Sequence, residues 1–156
     1  MPITGFDHVI ITAADIDATC AFYDKLFGLK VGLDYAPGGK LKVRQAFIGG
    51  GSAMFSIHQR DNGVTPVAMH PTSGSLDVCL RWSGTIEEAE ALLKRHGVPI
   101  VEGPSPRLYS DGRPSLSVYF RDPDGNLIEI MAADPRPERA GDSWEKLGAA
   151  FAKKSG

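Results

Sequence analysis

The chain has 156 residues, 42% of them hydrophobic and 23% charged. That length suits one domain with a real core, and that composition excludes disordered, collagen-like and coiled-coil classes. With 17 basic against 19 acidic residues the formal charge is −2, which gives no pull toward nucleic acid or an anionic membrane surface.

No apolar run reaches the ~18 residues of a membrane span, and the opening MPITGFDH lacks the basic and apolar regions of a signal peptide. The two cysteines, Cys20 and Cys79, sit inside apolar patterns. Two buried thiols in a reducing compartment are expected, which points to the cytoplasm.

In chain order, a strand is predicted near 5–12 and a helix near 14–27, where Ile16, Cys20, Tyr23, Leu26 and Phe27 recur at helical spacing. Strands follow near 29–36, 41–48 and 53–59, then a polar, proline-bearing linker over 61–74. A second strand–helix pair is predicted near 75–82 and 84–96, with Ile86, Ala89, Leu92 and Leu93 on the helix's apolar face. Strands near 99–102, 115–121 and 126–132 complete this half, with a proline- and glycine-rich loop at 103–114. The tail offers a short amphipathic helix near 142–153 that includes Trp144 and Leu147.

The two halves are one unit repeated. His8–Gly28 lies over Asp77–Gly97 without a gap at an offset of 69, and Ala46–His58 lies over Tyr119–Met131 at an offset of 73. The fold class is therefore α+β, built from two βαβββ modules related by a pseudo-twofold repeat. One domain is expected over 1–135, with module one at 4–60, the linker at 61–74 and module two at 75–132; residues 136–156 form a C-terminal tail.

Side chains alternate across a strand, so parity sorts each strand into two faces. His8, Ile10 and Thr12 share one face, as do Met54, Ser56 and His58; Asp77, Cys79 and Arg81; and Leu127, Glu129 and Met131. The repeat makes His8 equivalent to Asp77 and Ser56 equivalent to Glu129. If the modules pair about a twofold axis, these four can converge, and a histidine with two carboxylates suits a divalent cation. The alternative is a set of satisfied polar positions on a half-exposed sheet.

The sequence resembles the vicinal oxygen chelate superfamily, which includes glyoxalase I, fosfomycin-resistance proteins, extradiol dioxygenases and bleomycin-resistance proteins. FDHVIITAADIDATCAFYDKLFGLKV and VYFRDPDGNLIEIM carry the resemblance, which spans about residues 4–132. HPTSGSLDVCL, GVPIVEGPSPR and SVYFRDPDGNLIE look most like small glyoxalase-domain proteins.

The resemblance implies a cup-shaped mixed sheet around a central cavity. It implies a divalent ion (Fe, Mn, Ni or Zn) held by His8, Glu129 and either Asp77 or His58, with positions open to two vicinal oxygens of a small substrate. Two departures stand out: Asp77 replaces a histidine or glutamine, and Ser56 replaces the glutamate of glyoxalase I. Glu129 or His58 would move the proton. Ser56, Arg81, Arg44 and Tyr119 are candidate substrate-binding residues, the last three by orienting an anionic or enolate oxygen. The expected activity is a metal-dependent lyase or isomerase, or an extradiol-type dioxygenase. The alternative is a metal-free protein that binds or sequesters a small molecule, as in bleomycin resistance. A homodimer is expected, because modules in this family pair across chains as well as within one.

Overall fold

A computed structural model describes residues 2–35, 43–136 and 141–152. In chain order the elements are β1 (Val9–Ala13), α1 (Ile16–Phe27), β2 (Leu29–Tyr35), β3 (Val43–Ile48), β4 (Met54–Gln59), β5 (Asp77–Arg81), α2 (Ile86–Arg95), β6 (Ile100–Leu108), β7 (Pro114–Arg121), β8 (Leu127–Ala133) and α3 (Trp144–Ala152). They form two four-stranded sheets of matching order, β1-β4-β3-β2 and β5-β8-β7-β6. This is the duplicated βαβββ architecture read from the repeat. The chain divides into two compact units, Met1–Asp77 with Arg121–Leu127, and Val78–Phe120 with Ile128–Gly156.

In unit one, β1 pairs parallel with β4, while β3 pairs antiparallel with β4 and β2. Asp15 caps α1, its side chain accepting from the Asp17 and Ala18 amides. Gly28, at φ 71°, ends the helix and donates its N–H to the Asp24 carbonyl. Ile16, Thr19, Cys20, Tyr23 and Leu26 are the helix's buried positions. They meet the sheet face that carries Ile11, Ala46, Phe55 and Ile57, each at most 2% exposed. The Tyr23 and Phe55 rings pack edge to face, 5.4 Å between centroids.

The Asp122–Asn126 turn belongs to the same unit. Asp124 accepts from the Ala14 amide at 2.6 Å and the Thr19 hydroxyl at 2.7 Å. Asp122 accepts from the Tyr23 hydroxyl at 3.0 Å and the Asn126 side-chain amide at 2.8 Å. The Asn126 side-chain oxygen, Oδ1, in turn accepts from the Leu76 amide at 2.9 Å.

In unit two, α2 opens with a capping box between Thr85 and Glu88. Its buried residues Ile86, Ala89 and Leu93 form the core with Val118, Phe120, Ile128 and Ile130. Helix α3 lies against β6, with Leu147 buried.

The stretch expected as a loop at 103–114 is mostly strand: β6 runs to Leu108 and pairs with β7 through two irregularities in register. Pro104 and Pro106 are tolerated because β6 is an edge strand, where a missing N–H leaves no ladder bond unmade. Gly103, at φ 110°, allows the close approach, since a Cβ there would meet the Ser117 carbonyl oxygen.

Candidate functional site

Each sheet has one face packed on its helix and one polar face. In unit one the register sets Ile10 beside Ser56 and Thr12 beside His58, with Gln45 and Val43 across from the same two residues on β3. Ser56 is buried and its Oγ lies 3.2 Å from His58 Nε2. Burial, followed by the nearby His8 ring, holds His58 below the usual histidine value. His8 itself is hydrogen-bonded through Nδ1 to Asp7 at 2.7 Å. Three expected site residues, His8, Ser56 and His58, thus share one face of unit one.

Arg44 stands on the opposite face. It lies across from Ile57, on the side that α1 covers. Its guanidinium reaches Asp17 at 3.1 Å and Asp34 at 3.2 Å. Hydrogen bonding with Cys20, ahead of the bond to Asp17, holds Arg44 firmly protonated, while burial raises the Cys20 thiol above its ordinary value. An open groove of about 450 Å³, lined in part by Cys20, Leu29, Val31, Asp34 and Arg44, lies on this side. Its one guanidinium is already matched by two aspartates.

In unit two the polar face is built from β6, β7 and β8. Ser105 lies across from Ser117, and Arg107 across from Ser115. Tyr119 follows on the same side of β7 and meets Glu129 of β8. Arg107 donates from Nε to the Tyr119 hydroxyl oxygen at 2.8 Å, stacks over its ring at 5.1 Å, and reaches Glu102 at 3.2 Å. Ser105 also donates to Glu102 at 2.9 Å. Burial first, and then the charge of Glu129, push the Tyr119 phenol up to about 12. Ser115 and Ser117 are fully buried, and neither hydroxyl has a hydrogen-bond partner; nor has Glu129 Oε1, which is equally sealed from solvent. Buried polar atoms are nearly always paired, so three orphans on one face call for an explanation.

Asp77 is exposed at the start of β5. Arg81 is exposed at the end of that strand, where it stacks on Tyr109 at 5.5 Å and reaches the Ser110 hydroxyl at 3.4 Å. Cys79, expected to be buried, is exposed between them, because β5 is an edge strand with this side open; neither cysteine is in a disulfide.

The described residues do not converge on a metal site of the expected kind. A divalent ion needs three or four donors converging on one point. Among the described residues, no three His, Cys, Asp or Glu side chains form a group that could hold one. His8 is turned to Asp7, Asp77 is exposed, and Glu129 lies with Tyr119. The divalent cofactor (Fe, Mn, Ni or Zn) on His8, Glu129 and Asp77 or His58 is therefore not supported. The metal-dependent lyase, isomerase or dioxygenase expectation falls with it, since each needs that ion as its Lewis acid or oxygen-binding centre.

Sequence reasoning missed Ser115, Ser117, Arg107 and Glu102. A signal was present: PSLSVY alternates serine with apolar residues at strand period, which places both hydroxyls on the side opposite Leu116 and Val118.

Comparison with known proteins agrees with the duplicated fold. Residues 5–130 match the family model described as Glyoxalase/Bleomycin resistance protein/Dioxygenase superfamily. The chain is 37% identical over 132 residues to glyoxalase domain-containing protein RDO1 of Mycosarcoma maydis, covering 85% of this chain and 70% of that protein. It is 36% identical over 130 residues to virulence protein STM3117 of Salmonella typhimurium, covering 83% of this chain and 85% of that protein. The crystal structure of STM3117 superposes with a TM-score of 0.74 at 34% identity, over 86% of this chain and all of that one. An integron cassette protein from the mobile metagenome of V. cholerae superposes with a TM-score of 0.75, also at 34% identity, over 86% of this chain and 98% of that one. By fold, by motif and by these matches, the chain belongs to the glyoxalase/bleomycin resistance protein/dioxygenase superfamily.

Proposed function

We propose that this protein is a small-molecule binding protein of the bleomycin-resistance type, which holds its ligand without a metal ion. The observation that carries this reading is the polar face of unit two, where Ser115, Ser117 and Glu129 Oε1 are buried without partners beside the Arg107–Tyr119 pair. A ligand that hydrogen-bonds these atoms recovers the free energy of leaving them unpaired, about 1–3 kcal/mol each. Further support comes from the lack of a metal-holding group among the described residues. Within unit one, His8, Ser56 and His58 are proposed as a contact set of their own, and within unit two Arg81, beside Tyr109, as another.

A homodimer and a cytoplasmic location belong to the same proposal. β1 is an edge strand, Ile10 is 52% exposed and Phe6 is 97% exposed, which supports pairing with a second copy. Neither cysteine is in a disulfide, and among the described residues no helix is long and apolar enough to cross a membrane. Residues 1–135 act as the binding domain, with α3 of the tail docked on β6.

A thermal-shift screen of the metal-stripped protein against a small-molecule library, in the presence of a chelator, tests the reading. Ligands that raise the melting temperature under chelation support it, since binding to the native state stabilises by mass action. Hits that appear only when a divalent ion is added contradict it.

A further inference from the structure

The charge arithmetic of the unit-two face names a ligand class, an inference that rests on the binding reading above. Glu129 brings a carboxylate to a half-buried strand position, with Oε1 sealed and without a donor. Among the described residues, no lysine, arginine or histidine forms an ion pair with it. Its neighbour Tyr119 stays neutral at physiological pH; the phenol hydrogen-bonds the Glu129 carboxylate but brings no positive charge, and its oxygen accepts from Arg107. The charge of Arg107 is met by Glu102. Arg81, a further cation of this unit, is taken up by the Tyr109 ring and the Ser110 hydroxyl.

No basic side chain among the described residues therefore pairs with this carboxylate, and its Oε1 is left without a donor. Beside it on β7, one same-face step from Tyr119, is the buried Ser117 hydroxyl, with Ser115 a further step along. A carboxylate or phosphate placed here would face Glu129 directly. A neutral hydroxyl would satisfy Oε1 but leave the charge. A protonated nitrogen does both, and its remaining N–H groups can donate to the serine oxygens.

We propose that the ligand of this face enters through a basic nitrogen, an ammonium or amidinium that donates to Glu129 Oε1 and Ser117 Oγ. The test uses the full chain, stripped of metal, titrated calorimetrically with benzylamine, benzyl alcohol and benzoate, three probes that share a ring and differ in charge. Amide chemical shifts locate each one. The proposal expects benzylamine to bind about tenfold or more tightly than benzyl alcohol, with shifts at Ser117 and Tyr119 and no binding of benzoate. Glu129→Gln is expected to erase the preference, Glu129→Asp to keep part of it, and Ser117→Ala to weaken benzylamine several-fold.

Benzyl alcohol or benzoate binding at these amides as tightly as benzylamine overturns the charge preference and leaves the binding reading standing. A preference that survives Glu129→Gln overturns the assignment to Glu129. No shift at these amides with any probe overturns this proposal, and the library screen then decides the binding reading separately. Should Glu129→Gln fail to fold, the order of the three probes on the unaltered protein decides alone.

Discussion

Tyr23 and Asp122 are 99 positions apart in the chain, yet the Tyr23 hydroxyl donates to Asp122 Oδ2 at 3.0 Å inside a core where Tyr23 is 0% and Asp122 is 6% exposed. The bond fixes the DPDGN turn to α1. It also joins the two sequence phrases that most resemble the family, so those phrases mark a structural clasp within unit one.

Tyr23→Phe keeps the ring against Phe55 and removes one donor from a buried carboxylate. The expected cost is roughly 1–3 kcal/mol, measured by urea unfolding. Burial first, then Asp122, raise the Tyr23 phenol far above its ordinary value of 10.0. Above that pH the unfolded chain loses the proton while the folded chain keeps it, so stability falls as pH rises. The alkaline slope should be shallower in Tyr23→Phe. An equal slope in both proteins would contradict the buried bond.

His58 should titrate below the ordinary 6.5, since burial and then His8 both disfavour its charged form. Below that ordinary value the unfolded chain takes up a proton that the folded chain resists. The stability tied to neutral His58 is thus present above about pH 6.5 and is lost as pH falls. Following the ring protons by NMR should give a depressed midpoint that rises in His8→Gln. A midpoint indifferent to that substitution would separate the two rings.

Arg44→Ala should lower stability by about 1 kcal/mol, since its partners Asp17 and Asp34 have side chains 63% and 56% exposed and their charges are screened by solvent. Affinity for any ligand of the polar faces should be unchanged, because Arg44 lies on the helix side of its sheet. A tenfold loss of affinity in Arg44→Ala would return this residue to the ligand site.

Gly103→Ala should be costly. At φ 110° a Cβ meets the Ser117 carbonyl oxygen and comes within 2.9 Å of Val118 Cα. A loss of roughly 2–4 kcal/mol is expected from strain and displacement of β7. Gly97→Ala, at φ 70° with open space around it, is the comparison and should cost about 1 kcal/mol. Equal melting temperatures for the two variants would rule out the close approach.

The duplicated fold was legible because both halves repeat the same alternation of strand and helix periods, and those periods are local. The strand at 103–108 was misread because prolines signal a loop in an interior strand but are admissible at an edge, and edge status is a property of the assembled sheet. The site was less legible. Parity along β3 sets Arg44 with Ala46 and Ile48, on the buried side. Convergence of His8, Asp77 and Glu129 depended on how modules assemble, which no local spacing encodes. The serines of β7 were written plainly at period two, but their lack of partners is visible only in three dimensions.

The most direct test of metal-free binding on the unit-two face is an amide chemical-shift map of the chain with its best ligand under chelation. The account predicts perturbations centred on Ser115, Ser117, Tyr119 and Glu129, unchanged by the chelator and lost in Glu129→Gln. Perturbations that vanish under chelation and return with a divalent ion, or that centre on the Arg44 groove, would contradict it.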